Sequence, residues 1–200
     1  MSSPDHERAA AALREFLRAV GAPIDRDPEL AGTGDLVTKA YMDELLVGYG
    51  CDPAQILTER TAANTDGLVL IRDLRTSILC PHHLMPAVGV VHVGYVPGEH
   101  VVGFGAIGRL VECFARRLIL QEVFGEEIVR ALVAHLGAKG AGCVVALTST
   151  CFTERGGQHR GALTVTHSWA GHFENNPTLR MEMLQGLGDP TAARSTGQAD

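Results

Sequence analysis

Residues 67–98 read GLVLIRDLRTSILCPHHLMPAVGVVHVGYVPG, two apolar runs separated by a short polar turn. The first run, 67–79, is rich in β-formers, and the second, 87–96, has the same character and ends at Pro97-Gly98. Composition and punctuation together predict two strands, paired antiparallel. Between them Cys80-Pro81-His82-His83 has to leave the ladder, because proline has no amide hydrogen to donate. Thiolate sulfur and imidazole nitrogen are donors that zinc prefers, and a Cys-x-x-His turn lets both converge on one ion.

Upstream, Ala9, Ala12, Leu13, Phe16, Leu17 and Val20 recur at helical spacing between Asp5 and about Val20. A second helix is expected from near Asp35, burying Leu36, Val37, Ala40, Tyr41, Leu45 and Leu46 and ending at Gly48 and Gly50. Downstream, 107–135 predicts two helices in tandem with a break near Phe124-Gly125, where glycine weakens helix continuity and Glu126 and Glu127 suit a new N-terminus. After the loop 137–142, CVVALTSTCF (143–152) and GALTVTHSWA (161–170) predict a second strand pair about the turn 154–160. The last residues are small and polar and are expected to form a mobile tail. Helices, strands, helices and strands in that order predict an α+β class, an antiparallel sheet with helices on one face.

The chain has 200 residues, 46% hydrophobic and 20% charged, which suits one compact domain with a real core. A formal net charge of −6 argues against a nucleic-acid binder or a basic membrane-surface protein, so any anion site must be local. No apolar run approaches the ~20 residues of a membrane span, and the start lacks the basic-then-apolar order of a secretory signal. A cytoplasmic location is expected. Five cysteines, an odd and widely spread set, do not read as a disulfide framework in such a chain.

A third zinc ligand has to come from elsewhere, and Cys151 is the candidate, near the end of a later strand and ahead of Arg155-Gly156-Gly157. Three protein ligands leave a tetrahedral position open, the arrangement of catalytic rather than structural zinc. Taken singly, Cys80 and Cys151 also fit small core residues, and His82-His83 a surface pair. Cys113 and Cys143 sit inside apolar patterns and read as core. His92, His100, His135, His167 and His172 read as structural or solvated.

ILCPHHLMPAVGVVHVGYVP resembles the metal-binding signature of the GTP cyclohydrolase I family, in which Cys-Glu-His-His precedes a strand ending in Gly-Tyr-Val/Ile/Leu-Pro. Three further stretches are similar to family motifs in the same order: Gly103 to Arg109 (GFGAIGR), Gln121-Glu122, and Cys151 with Arg155-Gly156. The resemblance runs from about Thr33 to Leu184. It implies a tunnelling fold, and together with the patterning along the chain the expected division is a helical extension over 1–66, a catalytic domain over 67–186 and a disordered tail over 187–200. It also implies a homo-oligomer, a decamer in the family, with active sites between subunits.

For the chemistry, the resemblance implies zinc held by Cys80, His83 and Cys151, and zinc-dependent hydrolysis at C8 of a guanine ring. In the family this converts GTP to a pterin precursor, dihydroneopterin triphosphate, and formate. Glu122, beside Gln121, is implied to hold the guanine edge, and a carboxylate suits ring N–H and amino donors together. His82 matches a histidine that moves protons beside the purine, a task imidazole performs near neutral pH. Arg109, Arg155 and Lys39 match residues that face phosphates.

The sequence departs from the family at two tasks. Ser149 stands where the family has a catalytic histidine, and a hydroxyl can position water but cannot shuttle a proton near pH 7. Gly105-Ala106 replace Ser-Lys, Leu36 replaces an arginine, and Pro81 replaces a glutamate. These losses fall on triphosphate binding and proton transfer, which points to a guanine substrate with fewer phosphates, a nucleoside, or a free base such as 8-oxoguanine. Two other readings remain open. One is a non-catalytic zinc-containing assembly or regulatory homologue; the other is a nucleophilic cysteine acting on a deazapurine nitrile.

Overall fold

The computed structural model describes residues 4–155 and 159–188, and the chain divides into two compact units, Met1–Gly50 and Cys51–Asp200. In the first unit, α1 (His6–Ala19) is capped by Asp5, whose carboxylate accepts the Arg8 amide at 3.0 Å. Helix α2 (Thr33–Ala40) begins two residues earlier than expected and runs into a wider helical turn, Tyr41–Leu45. A Cβ at Gly34 would stand 2.8 Å from the Ala10 carbonyl oxygen, so glycine is what lets α1 and α2 approach. Arg14 and Asp35 pair across them at 2.9 Å. Leu36, expected inside, is 68% exposed, while Gly34 and Thr38 are the buried positions. The close face of α2 is set by the glycine contact rather than by its largest apolar side chain.

The second unit opens with α3 (Pro53–Ile56) and β1 (Arg60–Ala62), followed by β2 (Val69–Leu79), β3 (Pro86–Val96) and β4 (His100–Val102). Strands β1 and β4 form a small antiparallel pair. The main sheet joins β2 and β3 to β5 (Gly140–Ser149) and β6 (Thr164–Gly171) in the order β2-β3-β5-β6, antiparallel throughout. Two helices, α4 (Phe104–Ala115) and α5 (Gln121–Ala131), pack on one face. Their Ile107, Leu110, Phe114, Phe124 and Ile128 share a core with Val91, Val93, Tyr95, Val145 and Leu147. The alternate strand residues Val96 and Val144 point the other way, to Phe173 and to Met183 of α7 (Pro177–Gly186).

The helix break does not fall at Phe124-Gly125. It falls between Ala115 and Gln121, where Ile119 donates its amide to the Leu79 carbonyl at 3.1 Å and Leu118 bridges Leu79. Gly125 lies inside α5, and a Cβ there would stand 2.6 Å from Oγ of Ser168 on β6. The glycine serves close helix-on-sheet packing, a demand invisible in a one-dimensional pattern. The expected strand 143–152 is shifted to Gly140–Ser149 and gives way to the short helix α6 (Thr150–Thr153), so Cys151 sits in a turn beyond the sheet. The expected tail lies outside the described residues from 189 onward, and Leu187 is buried against Met183 and Phe173. Among the described residues no helix is long and apolar enough to cross a membrane.

Candidate metal centre and its cavity

The β2–β3 loop is closed by two backbone bonds: Cys80 N–H to the Met85 carbonyl at 3.0 Å, and Leu84 N–H to the Cys80 carbonyl at 2.9 Å. The second bond winds Pro81, His82 and His83 into one helical turn, which brings residues three apart to the same side. Nδ1 of His83 consequently lies 3.7 Å from Sγ of Cys80. The turn is completed by Leu84 at φ 55, a left-handed conformation that costs a non-glycine residue about 1–2 kcal/mol.

Strand β3 brings the third donor. Its first residues pair on one side with the end of β2, Leu79 opposite Pro86, and on the other with the end of β5, Ala87 opposite Ser149. Thr150 then donates its hydroxyl to the Pro86 carbonyl at 2.6 Å, pinning α6 to the loop. The donor atoms of Cys80, His83 and Cys151 all lie within 4.8 Å of one another. Ligands around tetrahedral zinc, at Zn–S ≈ 2.3 Å and Zn–N ≈ 2.0 Å, stand roughly 3.5–3.8 Å apart, so the donor set fits such an ion after small adjustment. The Cys151 thiol is pushed up by burial and by the adjacent Cys80 sulfur, with Arg155 opposing them. A divalent cation removes that penalty by neutralising the paired sulfurs.

The donors border a cavity of about 250 Å³ lined by Cys80, Ser149, Cys151, Gln121, Glu122 and Phe152, with Ile78, Ala87, Ile119, Leu120 and Thr164. Gln121, 7% exposed, donates its side-chain amide to the carbonyls of Val145 at 3.0 Å and Thr164 at 2.9 Å. Its Oε1 has no hydrogen-bond partner among the described residues. Gln121 thus ties the start of α5 to β5 and β6, and it holds the next residue, the exposed Glu122, at the cavity.

The remaining expected residues are not among those that line the cavity. His82 is exposed on the same turn, its ring edge-on to His83 at 6.2 Å. Arg109 projects from α4 into an ion pair with Glu59 at 2.6 Å. Arg155 is exposed beyond α6, and Lys39 is exposed on α2 in the first unit. Phe152 and Leu120 were not anticipated as lining residues. Phe152, 50% exposed, stacks on His159 at 4.8 Å, and its place next to Cys151 was the available signal.

Two thiols and one imidazole converging beside a carboxylate-bearing cavity in an α+β domain are a donor set that could hold a metal ion with one position open, whereas a structural zinc module would supply four protein donors. The family model for GTP cyclohydrolase I matches residues 9–188, starting well upstream of the expected Thr33. GTP cyclohydrolase 1 of Corynebacterium glutamicum is 38% identical over 182 residues, covering 90% of this chain and 92% of that protein. GTP cyclohydrolase 1 of Campylobacter lari is 39% identical over 179 residues, covering 89% and 93%. GTP cyclohydrolase 1 of Mycobacteroides abscessus is 39% identical over 182 residues, covering 90% and 88%. The chain belongs to the GTP cyclohydrolase I family and is a hydrolase of that family, with its tunnelling fold.

Proposed function

We propose that this protein opens the imidazole ring of a guanine-type purine at C8 by zinc-dependent hydrolysis, with a substrate carrying fewer phosphates than GTP. The observation that carries the reading is the convergence of Cys80, His83 and Cys151 beside a cavity that also holds Glu122. Zinc bound there supplies Lewis acidity and lowers the pKa of water toward ~7. Glu122 accepts hydrogen bonds from the purine's ring N–H and amino group, and Gln121 fixes the helix start that carries it. Phe152 and Leu120 give the flat base an apolar wall. His82, on the ligand turn, is the group able to give and take a proton near neutral pH. Ser149 orders water or substrate through its hydroxyl.

Support for the reduced phosphate count comes from the cations. Gly105, Ala106 and Leu36 carry no charge, and Arg109 is paired with Glu59. Arg155 remains as an anion contact in the unit that holds the cavity, and Lys39 is an exposed cation on α2 of the first unit. The reading includes a homo-oligomer with sites between subunits. It is supported by the apolar Leu120 and Phe152, 40% and 50% exposed at the cavity, and by the outer edges of β2 and β6, which pair with no strand among the described residues.

The test is incubation of zinc-loaded protein with GTP, guanosine, guanine and 8-oxoguanine, with mass spectrometry for ring-opened product and formate. Turnover of a base or nucleoside, abolished in Cys151→Ala, is the expected result. Efficient turnover of GTP alone would overturn the substrate assignment, and activity surviving Cys151→Ala would overturn the metal site.

A further inference from the structure

All five cysteines carry free thiols, and two of them meet away from the metal donors. Cys113, on the inner side of α4, is 3% exposed; Cys51, the first residue of the second unit, is half-buried, and one side chain, Arg117, reaches both residues. The Arg117 guanidinium is clamped over the pair. Its Nη2 donates to the Cys51 carbonyl at 3.2 Å and contacts Sγ of Cys113 at 3.4 Å, while Nε donates to the Cys113 carbonyl at 3.0 Å. Its carbon also lies 4.9 Å from the centre of the Phe114 ring. A guanidinium held by two carbonyls and a ring stays beside the sulfur without reorganisation, and it is charged at every physiological pH.

We propose that Cys51 and Cys113 form a redox-active dithiol, closed to a disulfide by a small-molecule disulfide and reopened by a thiol reductant, with Arg117 as the fixed cation that stabilises sulfur anion during exchange. Burial first, then the neighbouring Cys51, push the Cys113 thiol up to about 12 against the pull of Arg117. Cys113 therefore stays protonated near neutrality, and the more accessible Cys51 is the attacking sulfur. As thiolate, Cys51 displaces one half of the small disulfide, forming a mixed disulfide and releasing one thiolate, which takes up the proton Cys51 gave to solvent. Cys113 sulfur then attacks the Cys51 sulfur while its proton passes to the second departing thiolate. Two protein thiols lose two electrons and two protons, and the small disulfide gains both, becoming two thiols.

The closed ring binds the segment of α3 and Glu59 to α4, where Arg109 already pairs with Glu59. The site is independent of the metal donors, because neither sulfur lines the cavity. In the test, the full-length protein, kept in zinc-containing buffer, is incubated with oxidised glutathione. Free thiols are then alkylated and the unreduced peptides mapped by mass spectrometry. The expected product is a Cys51–Cys113 cross-linked peptide pair that disappears with dithiothreitol, accompanied by a rise of several degrees in the thermal midpoint. Cys51→Ser removes both effects. Arg117→Gln slows closure by about tenfold, the effect of roughly one pKa unit at the sulfur. Cys113 recovered fully alkylated after oxidation, or cross-linking confined to Cys80 and Cys151, would overturn the proposal. Wild-type closure rate in Arg117→Gln would overturn the role given to the arginine.

Discussion

The side-chain amide of Gln121 donates to the Thr164 carbonyl at 2.9 Å, and to Val145 on the neighbouring strand at 3.0 Å. One buried residue therefore fastens α5 to two strands and sets where Glu122 begins to face the cavity. Replacing Gln121 by Glu keeps the shape and turns two donated bonds into carboxylate oxygens facing carbonyls. Urea denaturation at pH 7 is expected to show a loss of about 2–3 kcal/mol. The carboxyl in the folded variant titrates above its unfolded value near 4.3, because burial and the carbonyls disfavour charge. The penalty is thus full above the raised folded value and shrinks as pH falls through it. A pH-independent penalty would show that charge is not the cause.

His83→Ala leaves two thiols without the imidazole that closes the donor set. Competition with a chromogenic chelator is expected to show a fall in zinc affinity greater than the ~10–100-fold that loss of an outer partner costs. The far-ultraviolet spectrum should persist, since His83 is exposed and the turn is held by backbone bonds.

Glu59→Gln releases Arg109. Both side chains are more than half exposed, so stability should move by no more than about 1 kcal/mol. Steady-state kinetics are expected to show a several-fold lower KM for phosphate-bearing guanine nucleotides and an unchanged KM for guanosine. Equal shifts for both would separate Arg109 from phosphate recognition.

His92 is 2% exposed, and its Nδ1 accepts the amide of Asp73 at 3.1 Å, at a bulge where Asp73 adopts φ 58. Burial pushes the imidazole below its ordinary 6.5, with Asp73 opposing and Arg72 assisting. A depressed folded value means that the unfolded chain binds the proton first, so stability is full above about pH 6.5 and declines as pH falls below it. Denaturation of the wild-type protein between pH 8 and pH 5 should show this decline, and His92→Gln should lack that component. Parallel profiles for the two proteins would assign the acid sensitivity to other groups.

Much of this molecule was legible along the chain. The paired apolar runs around Cys80-Pro81-His82-His83 specify adjacent antiparallel strands by composition and a proline stop, and the order of motifs through Glu122 to Cys151 specifies the family. Both are local or order-based signals that one dimension can hold. Less legible was anything decided by what lies across a gap. Leu36 reads as core yet faces outward because Gly34 sets the close approach to α1.

Gly125 reads as a helix break and is instead the thin point where α5 meets Ser168, while the true break goes where Ile119 can bond Leu79. Cysteine chemistry divides the same way. Residue type and spacing nominate Cys80, His83 and Cys151, but β3 alone, pairing with β2 on one side and β5 on the other, brings residues 68 or more apart to a common centre. Cys51 and Cys113 had no motif at all, and only the packing around Arg117 joins them. Side-chain chemistry is a property of each residue, whereas proximity belongs to the folded chain, and a site requires both.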